Sequence, residues 1–397
     1  MMAGNPRFSF SAPPPLSLYI HFPWCVHKCP YCDFNSHAIG GEVPETAYVD
    51  ALLKDLEQEL PAVWGRTVQT VFMGGGTPSL FSAAAIDRLL AGVRARLPLS
   101  PEAEITLEAN PGTVEQAKFS GYREAGVNRL SIGIQSLNDA HLQALERIHN
   151  ADEALRAAQA ARNAGFDNFN LDLMFGLPQQ GIAQAVDDLQ AAFELQPAHL
   201  SWYQLTLEPN TAFHAHPPPL PDDEHRWNMQ QQGHVQLVRH GYTQYEVSAF
   251  ARDGKRCRHN LNYWRFGDYM GIGAGAHGKV TDAGGGVIRR RWKQRHPRAY
   301  LAAAGTPQCN DGERELTAEE TVFEFALNRL RLNAGFALDE FESRCGLPRE
   351  CILPALQRAV HDDLLTLQDD QVQHTDRGWQ FLNDLLEYFL PEDAEHA

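Results

Sequence analysis

No stretch of the 397 residues is apolar for long enough to cross a bilayer as a helix, which takes about 20 residues. The opening "MMAGNPRFSFSAPPPL" also lacks the charged-then-apolar pattern of a secretory leader. These absences predict a cytoplasmic protein that is not an integral membrane protein. Basic residues are in short supply: 34 Lys and Arg stand against 50 Asp and Glu, a net charge of −16 that repels phosphate backbones. No nucleic-acid partner is therefore expected, which disfavours an enzyme acting on RNA. The seven cysteines are odd in number, and three of them crowd into "YIHFPWCVHKCPYCDF" as Cys25, Cys29 and Cys32. Such crowding suits metal ligation in a reducing compartment better than a disulfide framework. What that window lacks is a fourth cysteine.

The rest of the chain alternates short β-type runs with helical patterns. The runs are "LSLYIHF", "TVQTVFMGGG", "EITLEAN", "NRLSIGIQS", "NFNLDLMFGL", "HLSWYQLTL" and "YTQYEVSAF", interleaved with stretches such as "YVDALLKDLEQEL", "AAAIDRLLAGVRARL", "LNDAHLQALERI" and "ADEALRAAQAARNAG". This rhythm predicts an α/β fold with a parallel sheet, as a partial or full (β/α) barrel, with a doubly wound open sheet as the alternative. Gly75, Gly76, Thr77, Glu108, Gln135 and Asp172 fall late in, or just after, successive runs, where barrels gather their chemistry. From about Leu316 the pattern is helical apart from a β-like pair around "LTLQDDQVQHTD". The expected organisation is a lead-in over 1–15, a barrel core over 16–300, and a small C-terminal, mainly helical, winged-helix-like domain over 301–397 with a frayed end. The basic run "RRRWKQRHPR" at 289–298 reads as a solvated face beside that boundary, although it can also pair with anionic groups.

Pro30 lies inside the cysteine window and opposes a helix, so the three thiols are expected on a loop after the first strand. Two metal chemistries remain open. A structural zinc needs a fourth ligand, which His27 or His37 can supply. A four-iron cluster accepts three thiolates and leaves one iron for another molecule.

"CVHKCPYC" resembles the cluster motif of the radical S-adenosylmethionine (SAM) superfamily, and the likeness to its oxygen-independent coproporphyrinogen III oxidase group spans nearly the whole chain. The resemblance implies a radical SAM barrel and a [4Fe-4S] cluster on Cys25, Cys29 and Cys32. It also implies a SAM site at Tyr19, Tyr31, Gly75, Gly76, Thr77, Glu108, Gln135, Arg147 and Asp172. In that family SAM is chelated by the open iron and cleaved to a 5′-deoxyadenosyl radical. "GGGTPS" matches the group's glycine motif, where a side chain would bar close approach. Glu108, in "LEANP", has the chemistry to accept ribose hydroxyls. Arg147 falls within a predicted helix.

The oxidase group has a further cysteine two positions after the third, where this chain has Phe34, and little chain precedes Tyr19. The sequence is instead similar to the HemW branch of heme chaperones, whose H-N-x-x-Y-W motif stands here as "HNLNYW". That resemblance implies heme as cargo, with His259, Asn260, Tyr263 and Trp264 as its site, Asn260 orienting the imidazole. The implied partners are acceptor hemoproteins, membrane respiratory proteins among them, and a second copy of the chain as a homodimer. A SAM-dependent oxidase of porphyrin biosynthesis is the alternative. Cys257 is a second candidate heme ligand, and Cys309, Cys345 and Cys351 share no metal spacing.

Overall fold

The computed structural model describes residues 8–112 and 116–391. The rest of the lead-in and the expected fraying of the last residues lie outside them.

Twelve strands form one sheet: β1 (Leu16–Phe22), β2 (Val68–Gly75), β3 (Leu99–Ala109), β4 (Arg129–Gln135), β5 (Phe169–Phe175), β6 (His199–Gln204), β7 (Thr243–Glu246), β8 (Ala249–Ala251), β9 (Asp268–Ile272), β10 (His277–Asp282), β11 (Val287–Lys293) and β12 (Asn310–Glu315). Their order is β12-β11-β10-β9-β1-β2-β3-β4-β5-β6-β8-β7. β9 and β1 to β6 run parallel, as βα units require. β12 and β7 are free edges, so the barrel is partial.

β1 shows why the sheet curls around a polar lumen. Leu16, Leu18, Ile20 and Phe22 are buried in the core shared with the helices Glu45–Glu59 and Ala83–Arg96. The alternate residues Ser17, Tyr19 and His21 point the other way and pair in register with Thr70, Phe72 and Gly74. Fully covered parallel strands usually read as continuous apolar runs. Here the polar half of the alternation lines the interior.

Three expectations need correction. "YTQYEVSAF" is not one strand: β7 and β8 pair antiparallel with each other, and β8 pairs antiparallel with β6, because the chain turns at Val247–Ser248. The boundary expected at 300/301 would cut the sheet, since β12 pairs with β11 and carries the barrel unit to Glu315. The first half of "RRRWKQRHPR" is not a solvated face, for 289–293 belong to β11, flanked on both sides by strands, whereas Arg295, His296 and Arg298 beyond it are exposed. Its charges are matched from elsewhere: Arg291 by Glu59 at 2.7 Å, and buried Lys293 by Asp55 at 2.6 Å. Both carboxylates come from the helix Glu45–Glu59, a pairing invisible in a local charge pattern.

Beyond Glu315 a second core forms around Val322, Phe325, Phe341, Leu356 and Leu385. Its helices and three short strands, Phe336–Ala337, Leu365–Gln368 and Gln371–His374, give the winged-helix-like arrangement. Phe8 and Phe10 of the lead-in pack on this core, and Phe266 and Ile288 of the barrel unit belong to it. Among the described residues no helix is long and apolar enough to cross a membrane.

Candidate functional site

The cysteines leave β1 on an irregular loop, as Pro30 requires, with only Trp24–Cys25 forming a two-residue strand against His37–Ala38. All three thiols are free and half-buried. Burial raises the thiols of Cys25 and Cys32 above their ordinary range, so ligation there is coupled to proton release. Donors from two other segments face the sulfurs, and a third segment links them. The Thr77 hydroxyl donates to Cys25 Sγ at 3.5 Å, Asn110 Nδ2 to Thr77 Oγ1 at 3.0 Å, and Arg147 Nη2 to Asn110 Oδ1 at 2.8 Å. Arg147 Nη1 completes the circuit at Cys29 Sγ, 3.4 Å away.

Arg147 is not helical. The helix Asp139–Ala144 ends early because Glu146 takes a left-handed φ of 52°, and the Arg147 amide closes the turn on Leu142 O. That reversal swings the guanidinium into the barrel, where it also donates to Gly133 O at 2.7 Å.

The glycine motif has a structural reason of its own. The Gly76 and Thr77 amides donate to Phe22 O and Trp24 O at 2.6 and 2.7 Å, lacing the cysteine loop to the end of β2. A Cβ on Gly76 would sit 2.5 Å from Trp24 O, a backbone atom that cannot swing aside. Gly76→Ala is therefore expected to cost about 1–3 kcal/mol and to lower cluster content. Thermal melts and iron analysis check it, and an unchanged protein would refute the tight-approach argument. The Gly75 amide donates to Glu108 Oε2 at 3.1 Å.

Glu108 and Asp172 share the lumen. Burial, then the charge of Asp172, pushes Glu108 up to about 7. Burial raises Asp172 as well, against hydrogen bonds from Ser131 and Asn170 at 3.1 and 2.8 Å. Gln135 closes β4 with a left-handed φ of 66° and accepts from the Tyr203 hydroxyl at 2.8 Å. Tyr31 packs beside Phe213.

The helix Arg258–Trp264 closes the barrel near the amino ends of β1 and β2. The Glu104 carboxylate meets its start, accepting from the Arg258 and His259 amides at 2.9 and 3.2 Å. His259 is buried and lies against the Phe72 ring, centroids 5.0 Å apart. Its Nδ1 is 2.8 Å from Thr70 Oγ1, and Thr70 in turn donates to Ser17 Oγ at 2.8 Å. The Thr70 oxygen is thus left to accept from Nδ1–H, which puts the lone pair on Nε2. Thr70 orients this imidazole; Asn260 makes no such bond, a correction to the sequence expectation. Burial, then the charge of Arg129, lowers His259 to about 3, so the ring is neutral at physiological pH. Cys257 is fully buried at the start of this helix, 3.7 Å from Glu104 Oε1.

Tyr19, Gly75, Glu108, His259, Asn260, Tyr263 and Trp264 all line one open cavity of about 1230 Å³. That exceeds the roughly 300–1,000 Å³ of ordinary small-molecule pockets. Phe34 sits exposed on its rim. A separate cavity of about 490 Å³ beside Trp64 and Arg66 contains none of the residues expected to hold the cluster, SAM or heme. Local patterns gave no sign of Thr70, Asn110 or Tyr203, although Asn110 stands in the quoted "LEANP".

Residues 19–192 match the Radical SAM superfamily, and residues 316–381 match the HemN C-terminal domain. The heme chaperone HemW of Escherichia coli is 54% identical over 379 residues, 96% of this chain and 99% of its own. The chain belongs to the HemW family. The HemW of Haemophilus influenzae is 49% identical, with 96% and 99% covered. Coproporphyrinogen III oxidase (HemN) from Escherichia coli superposes with a TM-score of 0.80 over 95% of this chain and 90% of its own, at 24% identity, and shares the fold. Radical SAM membership implies a [4Fe-4S] cluster and SAM.

The residues of this HemW-family chain fit such a cluster: three thiols on one loop, two of them facing hydrogen-bond donors. Zinc fits less well. A structural zinc needs a fourth protein ligand beside the three thiols. His27 is exposed and faces Glu146 at 3.2 Å.

Proposed function

We propose that this HemW-family protein is a heme chaperone that binds heme in the 1230 Å³ cavity and passes it to acceptor hemoproteins. The observation that carries the reading is the shared cavity: the H-N-x-x-Y-W residues form its floor, and Tyr19, Gly75 and Glu108 wall the same space. His259 offers Nε2 to iron, with its other nitrogen held by Thr70. Phe72, Tyr263 and Trp264 offer flat faces to a macrocycle.

Cys25, Cys29 and Cys32 would hold the [4Fe-4S] cluster, which supplies an open iron to SAM when bound. Tyr31, Gln135, Arg147 and Asp172, with Tyr19, Gly75, Gly76, Thr77 and Glu108, form the SAM site in this reading. Arg147 and Thr77 position the sulfurs, and Glu108 accepts hydrogen bonds from the ribose. We place the activity in the cytoplasm, where seven unpaired cysteines remain reduced. Membrane respiratory proteins are the proposed acceptors, and a homodimer the proposed assembly.

His259→Ala is expected to weaken heme binding at least tenfold, about 1.4 kcal/mol, with iron and sulfide content unchanged. Anaerobic absorbance titration checks it, and an unaltered titration would remove His259 as ligand. Incubation with SAM, a reductant and coproporphyrinogen III is expected to release no carboxyl groups by mass spectrometry. Product would bring the oxidase reading forward.

A further inference from the structure

β11 ends at Lys293, and the segment that follows runs beside the cavity, which Arg295 lines together with Arg290, Arg314, His277 and Trp292. The three arginines are not equivalent. Arg290 is committed to Glu324, with Nε at 3.1 Å from Oε2, and to the Tyr269 hydroxyl. Arg314 is committed to Glu320 and Glu324. The carboxylates of this wall are spoken for as well, since Glu324 faces Arg290 and Asp311 accepts from Gln294 at 3.1 Å.

Arg295 differs. It is exposed, and among the described residues its guanidinium has no hydrogen bond or ion pair. Its backbone is fixed, for its carbonyl accepts from Asn35 Nδ2 at 2.9 Å. A held backbone with a free planar fork suits bidentate recognition of a carboxylate.

Heme is apolar apart from two propionates on one edge. Between the His259 floor and this rim the wall is aromatic: Phe72, Tyr263, Trp264, Tyr269 and Trp292. A macrocycle seated among those rings must leave its propionates at the wet end, where a cation without a partner is worth most. We propose that Arg295 is the carboxylate-recognition point of the cavity and receives a propionate of a tetrapyrrole seated on His259. This inference rests on the heme-chaperone reading and adds the feature by which the cavity recognises its ligand.

Hemin and hemin dimethyl ester, in which both propionates are blocked, separate the two ideas. Each is titrated in the same mixed solvent into the anaerobically reconstituted full-length protein and into Arg295→Gln. The wild type is expected to bind hemin roughly tenfold more tightly than the ester, since one charge-assisted hydrogen-bonded pair is at stake at an exposed site. Arg295→Gln should bind hemin as weakly as the ester, with its ester affinity unchanged. Equal affinity of the wild type for both compounds would overturn the Arg295 assignment and leave the heme reading standing. Parallel weakening of both in the variant would also overturn it, by making Arg295 a packing residue. Failure of the wild type to bind either compound would overturn both.

Discussion

Cys29→Ser, purified without oxygen and reconstituted with iron and sulfide, is expected to hold cluster more than about 100-fold more weakly than the wild type. Changes to residues that merely orient a metal ligand already cost 10–100-fold, and Cys29 is a proposed ligand itself. A hydroxyl is a poor substitute because the ligand must be an anionic, polarisable sulfur. The surroundings are arranged for that sulfur. Arg147, 118 positions away, reaches Cys29 Sγ at 3.4 Å and connects through Asn110 and Thr77 to Cys25. Cys351→Ser is the control, since Cys351 belongs to the second core. Iron and sulfide analysis with visible absorbance reads the result. Full cluster content in Cys29→Ser would refute the three-thiolate assignment, and loss in both variants would point to general instability.

Asp268→Ala is expected to cost about 3–5 kcal/mol of stability, the range for breaking a buried ion pair from one side. In a chain of this size that corresponds to a fall of roughly 5 °C in melting temperature. Asp268 is fully buried and accepts from Arg66 at 2.8 Å, Lys279 at 3.1 Å, and the Thr281 amide and hydroxyl, each at 2.9 Å. Lys279 is almost fully buried too, its ammonium 3.9 Å from the centre of the Phe266 ring and 3.1 Å from Phe266 O. Burial lowers Lys279 from its ordinary range, and Asp268 is the main influence opposing this. Removing the carboxylate leaves buried Lys279 and part-buried Arg66 without their shared anion. Asp268→Leu combined with Lys279→Met removes both charges of the Lys279–Asp268 pair, the more deeply buried of the two, and should melt above the single variant. A single variant that melts with the wild type would show that the pair contributes nothing.

The three-thiol loop, the glycine motif and the aromatic histidine motif are each contained in a short segment, so residue identity and spacing carried their chemistry. The βα rhythm was legible for the same reason, because alternation and helical periodicity are local. Arg147 was misplaced because its helix ends at a left-handed Glu146, a residue type with no stop signal. The first half of the basic run was misread because Arg291 and Lys293 find carboxylates on a helix more than 200 positions earlier.

By itself, then, the sequence determined which groups are available: three thiols without a fourth, a histidine among aromatics, and a parallel α/β scaffold to carry them. Only the tertiary structure decided what those groups face. His259 is oriented by Thr70 across 189 positions, and its cavity joins the expected SAM residues to the expected heme residues in one space. Such pairings depend on strand order and register, which set distances between segments. No local pattern encodes them, because the free energy that selects them comes from burying the whole core at once.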